Sequence, residues 1–112
     1  MDNTNPVPDE KILTLTFRVE PGCLGPDGIS QIEDFCLFAQ NHLSTVNSNF
    51  LLMKIIPRHD KSMPELQYQI NNKTLSQNQV TKYLELFKKD TSSIEEDFQE
   101  EIAQLIEEYT AD

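Results

Sequence analysis

The sequence predicts an α+β fold: a two-layer domain with a three-stranded mixed sheet, helices on one face, and elements in the order β-α-β-β-α-α. Three observations lead there. Two short segments alternate apolar and polar residues, one segment of seven is almost wholly apolar, and three longer segments repeat apolar residues at steps of three and four. The chain has 112 residues, the size of one domain, and folding at that length buries roughly 60–70% of the unfolded surface. We expect residues 1–10 to form a disordered arm and 11–112 a single α+β domain that includes an acidic helix at 94–110.

The first strand is the clearest element. Leu13, Leu15, Phe17 and Val19 alternate with Thr14, Thr16, Arg18 and Glu20, which gives one buried and one polar face. Pro21 to Gly28 follows as a breaker cluster that holds every glycine of the chain: Gly22, Gly25 and Gly28. Ser30 and Glu33 have the spacing of a capping box. Ile32, Phe35, Cys36, Ala39, Leu43 and Val46 then form one stripe of a first helix, with Leu37 and Phe38 off that stripe.

After a turn at 47–49, the run from Phe50 to Ile56 predicts a strand covered on both faces. Leu66, Tyr68 and Ile70 alternate with polar residues in a third strand, which ends at an Asn71-Asn72-Lys73 turn. The short polar connection between these two strands predicts an antiparallel hairpin. The order strand–helix–strand–hairpin has the start of a ferredoxin-like split βαβ pattern, with a helix where the last strand would stand. A second capping box, Ser76 with Gln79, opens a helix whose Val80, Tyr83, Leu84 and Phe87 face inward and whose last turn holds Lys88 and Lys89. A third, Ser93 with Glu96, opens the final helix, striped with Ile94, Phe98, Ile102, Leu105 and Tyr109. The expected core is Leu13, Leu15, Phe17, Ile32, Phe35, Ala39, Leu43, Leu52, Ile55, Leu66, Tyr68, Ile70, Val80, Leu84 and Phe87.

Charge carries most of the functional information. The formal net charge is −10, and −8 of it lies between Ile94 and Asp112, a segment with eight acids and no base. A duplex nucleic-acid binder needs a basic footprint, and an anionic membrane surface also repels such a chain, so neither partner is expected. The acidic and polar start of the sequence does not read as a secretory signal, which makes the cytoplasm the expected location.

No metal, cofactor or catalytic set is expected. Cys23, Cys36, His42 and His59 lack zinc-site spacing, and Cys36 and His42 fall about 240° apart on a helix. Cys36 reads as a small core residue. The glycines at 22, 25 and 28 match neither a phosphate loop nor a dinucleotide fingerprint, and Asp27 sets negative charge where an anion would go. The sequence therefore favours a non-catalytic protein–protein interaction or adaptor module. Its contact residues would be Glu95, Glu96, Glu100, Glu101, Glu107 and Glu108 of the acidic helix, with Leu37 and Phe38 of the first helix. The partner would be a basic protein or a second copy of the chain in a homodimer. The alternative is a small enzyme or anionic-ligand-binding protein that uses the Gly22–Gly28 loop and Cys23. The acidic helix itself has two expected positions: docked on the sheet with Lys82, Lys88 and Lys89 near its acids, or extended toward a partner.

Overall fold

The computed structural model describes residues 11–43 and 50–111. The expected arm at 1–10, the first helix beyond Leu43 and the turn at 47–49 lie outside the described residues. Among the described residues the fold is α+β, with a mixed sheet of four strands and three α-helices. In chain order these are β1 (Leu13–Val19), α1 (Gly28–His42), β2 (Leu51–Pro57), β3 (Leu66–Ile70), β4 (Lys73–Thr74), α2 (Gln77–Glu85) and α3 (Thr91–Thr110). A turn of 3₁₀ helix at Pro21–Leu24 joins β1 to α1.

The sheet order is β2-β1-β3-β4, with β1 parallel to β2 and antiparallel to β3. This corrects the expected hairpin of the second and third strands, because β1 lies between them. The connection from Arg58 to Glu65 is long enough to pass the end of β1, since neighbouring strands are only about 4.8 Å apart. It is tied there from both sides: the Arg58 N–H donates to the Val19 carbonyl, and the Arg18 N–H donates to the Glu65 carbonyl. The split βαβ pattern is replaced by an adjacent parallel pair with an antiparallel strand on the far side of β1. The fourth strand corrects the expected count of three: Lys73, read as part of the turn that ends the third strand, and Thr74 pair back on Ile70 and Gln69. Asn71 and Asn72 both take positive φ (52° and 68°), which gives the tight two-residue connection between Ile70 and Lys73.

One face of the sheet carries the core. Leu13, Leu15, Phe17, Val19, Leu51, Ile55 and Tyr68 all point to it, and α1 and α3 cover it. Ile32, Phe35, Cys36 and Ala39 come from α1, and Ile94, Phe98, Ile102 and Leu105 from α3. Each buried Val, Leu, Ile or Phe side chain among these stabilises the fold by roughly 1.5–3 kcal/mol relative to exposure. Val80 and Leu84 of α2 close one end, where the Phe50 and Phe87 rings stack at 4.2 Å. Of the expected core, Leu43, Leu66, Ile70 and Phe87 are half-buried, and Leu52 is 54% exposed. Leu52 corrects the expectation that the second strand is covered on both faces. β2 is an edge strand, and its Leu52 and Lys54 face the side of the sheet that no helix covers among the described residues.

The helix ends follow local chemistry that spacing alone does not settle. Only the Ser76–Gln79 capping box forms. α1 starts earlier than expected, at Gly28, and Ser30 sits inside its first turn, donating its hydroxyl to the Asp27 carbonyl. Gly28 is required there, because a β-carbon would stand 1.7 Å from the Pro21 carbonyl oxygen. α3 also starts early, because the Asp90 carboxylate accepts the Ser93 N–H as cap. A carboxylate at this position satisfies an orphan donor and faces the positive end of the helix dipole, so it outcompetes the serine. α2 ends at Glu85, before the two lysines. Lys88 takes φ +60° and the Lys89 N–H reaches back to the Leu84 carbonyl, a left-handed stop with lysine where glycine is usual.

Candidate functional site

α3 is docked, and this settles which of its faces is available. The Phe98 ring meets Phe17 of β1 edge-on at 5.7 Å, and the Tyr68 hydroxyl of β3 donates to a Glu95 carboxylate oxygen at 2.6 Å. Burial first, and the Glu95 hydrogen bond second, push the Tyr68 phenol above its ordinary value, so the hydroxyl remains a donor. At the other end of α3, Tyr109 packs against Phe35 at 5.3 Å and Phe38 at 5.4 Å. Phe38 also lies against the His42 ring at 4.3 Å, tilted by 33°, and the His42 Nδ1 donates to the Phe38 carbonyl. Of the two expected positions of the helix, the docked one is found: its apolar stripe is used inside the fold.

With the stripe buried, the outward face of α3 presents Glu96, Asp97, Glu100, Glu107 and Glu108, all exposed. None of these five has a basic partner among the described residues. The ion pairs Glu20–Arg58 (2.9 Å) and Glu33–His59 (3.6 Å) lie off this helix, and Lys82, Lys88 and Lys89 form none with these acids. Glu96 with Glu100 is a like-charge pair at four-residue spacing, unfavourable by about 0.2–0.5 kcal/mol, and Glu107 and Glu108 sit at the end of the helix whose dipole opposes them. Glu95 and Glu101 differ from the other four expected glutamates. Both are half-buried, and Glu95 is engaged with Tyr68. Leu37 and Phe38 separate in the same way. Phe38 belongs to the aromatic cluster with Phe35 and Tyr109, and Leu37 is 66% exposed.

The glycine loop forms one side of an open cleft of about 450 Å³ at the carboxyl ends of the parallel strands β1 and β2. Gly22, Gly25 and Ile29 line it opposite Arg58, His59 and Lys61. Sequence spacing missed this approach, because nothing in the order of residues puts the β2–β3 connection beside the first loop. Asp27 lies instead in a second cleft with Tyr109 and Thr110. The cleft is not purely basic: Arg58 is held by the Glu20 carboxylate at 2.9 Å and by the Lys61 and Met63 carbonyls, and His59 leans on Glu33. Cys23 is exposed and does not line the cleft. Cys36 is buried, and burial, reinforced by Glu33, pushes its thiol up from 9.0 to about 12, so it stays protonated and inert.

Among the described residues, no group of three or more His, Cys, Asp or Glu side chains is placed to hold a metal ion. No helix there is long and apolar enough to cross a membrane. Compared with known proteins, the chain matches no family model, no curated protein and no solved structure.

Proposed function

We propose that the chain is a protein-binding module whose contact surface is the outward face of α3 and whose partner is basic. The observation that carries this reading is the acidic row Glu96, Asp97, Glu100, Glu107 and Glu108, which has no basic partner among the described residues, on a helix whose opposite face is buried. A docked helix of 20 residues offers these carboxylates in fixed positions, so little ordering entropy is lost when a basic surface meets them. The row also works against helix stability, which supports a role in recognition over a role in folding. Leu37 stands outside the acidic row and has no assigned part in it.

The test is a variant in which four carboxylates of the row are neutralised: Glu96→Gln, Glu100→Gln, Glu107→Gln and Glu108→Gln. Its melting temperature should equal or exceed that of the native chain. Cross-linking at low ionic strength should identify basic proteins bound by the native chain and lost both in the variant and at raised salt. A partner set identical for the two chains would refute the reading.

A second reading has its own support. The cleft between Gly22–Gly25 and Arg58, His59 and Lys61 lies where open sheets with parallel strands take ligands, and Lys61 and His59 would suit a small anion. Inorganic phosphate titrated against the native chain and Lys61→Ala would decide it: saturable shifts at Gly22, Gly25 and His59 lost in the variant favour a ligand site, and no shifts in either chain dismiss it.

A further inference from the structure

β2 is an edge strand, and it is also the most apolar stretch of the sheet, Leu51-Leu52-Met53-Lys54-Ile55-Ile56. The hydrogen bonds Leu13 N–H to Phe50 carbonyl and Arg58 N–H to Val19 carbonyl fix its polarity. The backbone groups of residues 50, 52, 54, 56 and 58 turn toward β1, and those of 51, 53, 55 and 57 turn outward. An outward row of unpaired N–H and C=O groups on such a strand is a template for another strand.

The row is closed at its centre by one side chain. Gln40, on α1, donates through Nε2 to the Met53 carbonyl at 2.9 Å, and its Oε1 accepts the Ile55 N–H at 2.8 Å. In a parallel ladder, one residue of the added strand donates its N–H to the carbonyl of residue j−1 and accepts the N–H of residue j+1. The carboxamide makes that pair of contacts across Lys54. Pro57 ends the outward row with no N–H to offer.

We infer that Gln40 acts as a one-residue substitute for a parallel neighbouring strand and keeps the β2 edge closed to strand addition by a second copy of this chain. The occupant follows from the strand itself. A six-residue apolar segment with a single charge pairs readily with its own kind, and Leu52 and Ile56 lie on the uncovered side, where a second β2 would cover them. Without Gln40 the two edges would pair about a two-fold axis and extend the sheet across the dimer.

Gln40→Leu keeps side-chain bulk and removes both hydrogen bonds. Sedimentation at several hundred micromolar should give monomer for the native chain and twice that mass for Gln40→Leu. The double variant Gln40→Leu with Met53→Pro deletes an outward N–H from the edge and should return the mass to monomer. A Gln40→Leu chain that stays monomeric overturns the inference, as does a native chain that already dimerises through β2, or association that survives Met53→Pro. If Gln40→Leu does not fold, amide exchange in the native chain decides. The Ile55 amide should exchange at least tenfold more slowly than the Met53 amide, which also faces outward and has no partner among the described residues. Equal rates overturn the inference.

Discussion

The two faces of the sheet are made by the same strands and obey different physics. On the covered face, Leu13, Leu15, Phe17 and Tyr68 meet α1 and α3 in a closed apolar contact. The opposite face carries Thr14, Thr16, Arg18, Gln67 and Gln69, and polar side chains join Arg18, Gln67 and Thr74 across its strands. Arg18 donates to the Gln67 amide oxygen at 2.7 Å and to the Pro64 carbonyl at 2.9 Å, and Gln67 donates to Thr74 at 3.0 Å. The covered face holds the stability, and the bare face leaves the strands in register without demanding a partner layer. A shift of one residue in β1 would exchange the two sets, which is why its alternation is so strict.

The largest expected effect is on the covered face. Phe35→Ala and Phe98→Ala should each cost about 3–5 kcal/mol, read from urea midpoints, whereas Gln69→Ala on the bare face should stay within about 0.5 kcal/mol. Comparable losses on both faces would break the comparison.

The next effect is a pH dependence. The Cys36 thiol and the Tyr68 phenol both have folded values above their ordinary ones, chiefly through burial. Above the unfolded values, the unfolded chain sheds these protons and the folded chain keeps them, so stability is full below pH 9.0 and falls as pH rises toward about 12. Alkaline unfolding should move to higher pH in Cys36→Ala once its own cavity cost is subtracted at neutral pH. A transition that does not move would remove Cys36 from the account.

A smaller effect joins the faces of α3. Tyr68→Phe removes the hydrogen bond to Glu95 and should cost about 1.5–3 kcal/mol, because that bond has a charged acceptor. No loss on urea unfolding would place Glu95 with the free acids of the outward row. Smallest is Lys88→Gly, which should gain about 0.5–1 kcal/mol by relieving a side chain held at positive φ. A loss would mean that the lysine side chain itself contributes to the helix end.

The parts of this fold legible in the sequence are those set by periodicity. β1, β3 and the stripes of α2 and α3 follow from spacings of two and of three to four, and the Ser76–Gln79 cap follows from its own local bonds. Strand order was not legible, because the Arg58–Glu65 connection is compatible with a hairpin and with a crossing past β1. The exposure of Leu52 follows from that order: with β2 at an edge, its second face has no cover. The start of α3 lies upstream of its expected cap because Asp90 caps it before Ser93. The acidic row of α3 was visible as a charge run, and the half-burial of Glu95 and Glu101 was not, since it depends on what the helix rests against. Neither the approach of Lys61 to Gly22 nor the bond from Gln40 to Ile55 leaves any mark on sequence spacing. Both are contacts between elements far apart in the chain.

α3 is a wall of the core that leaves its acidic side outward, and urea unfolding of a chain ending at Lys89 tests this most directly. Removing Ile94, Phe98, Ile102 and Leu105 uncovers Phe17 and Tyr68, so the shortened chain should show no cooperative transition by far-ultraviolet circular dichroism. A cooperative transition with the native midpoint and slope would contradict it.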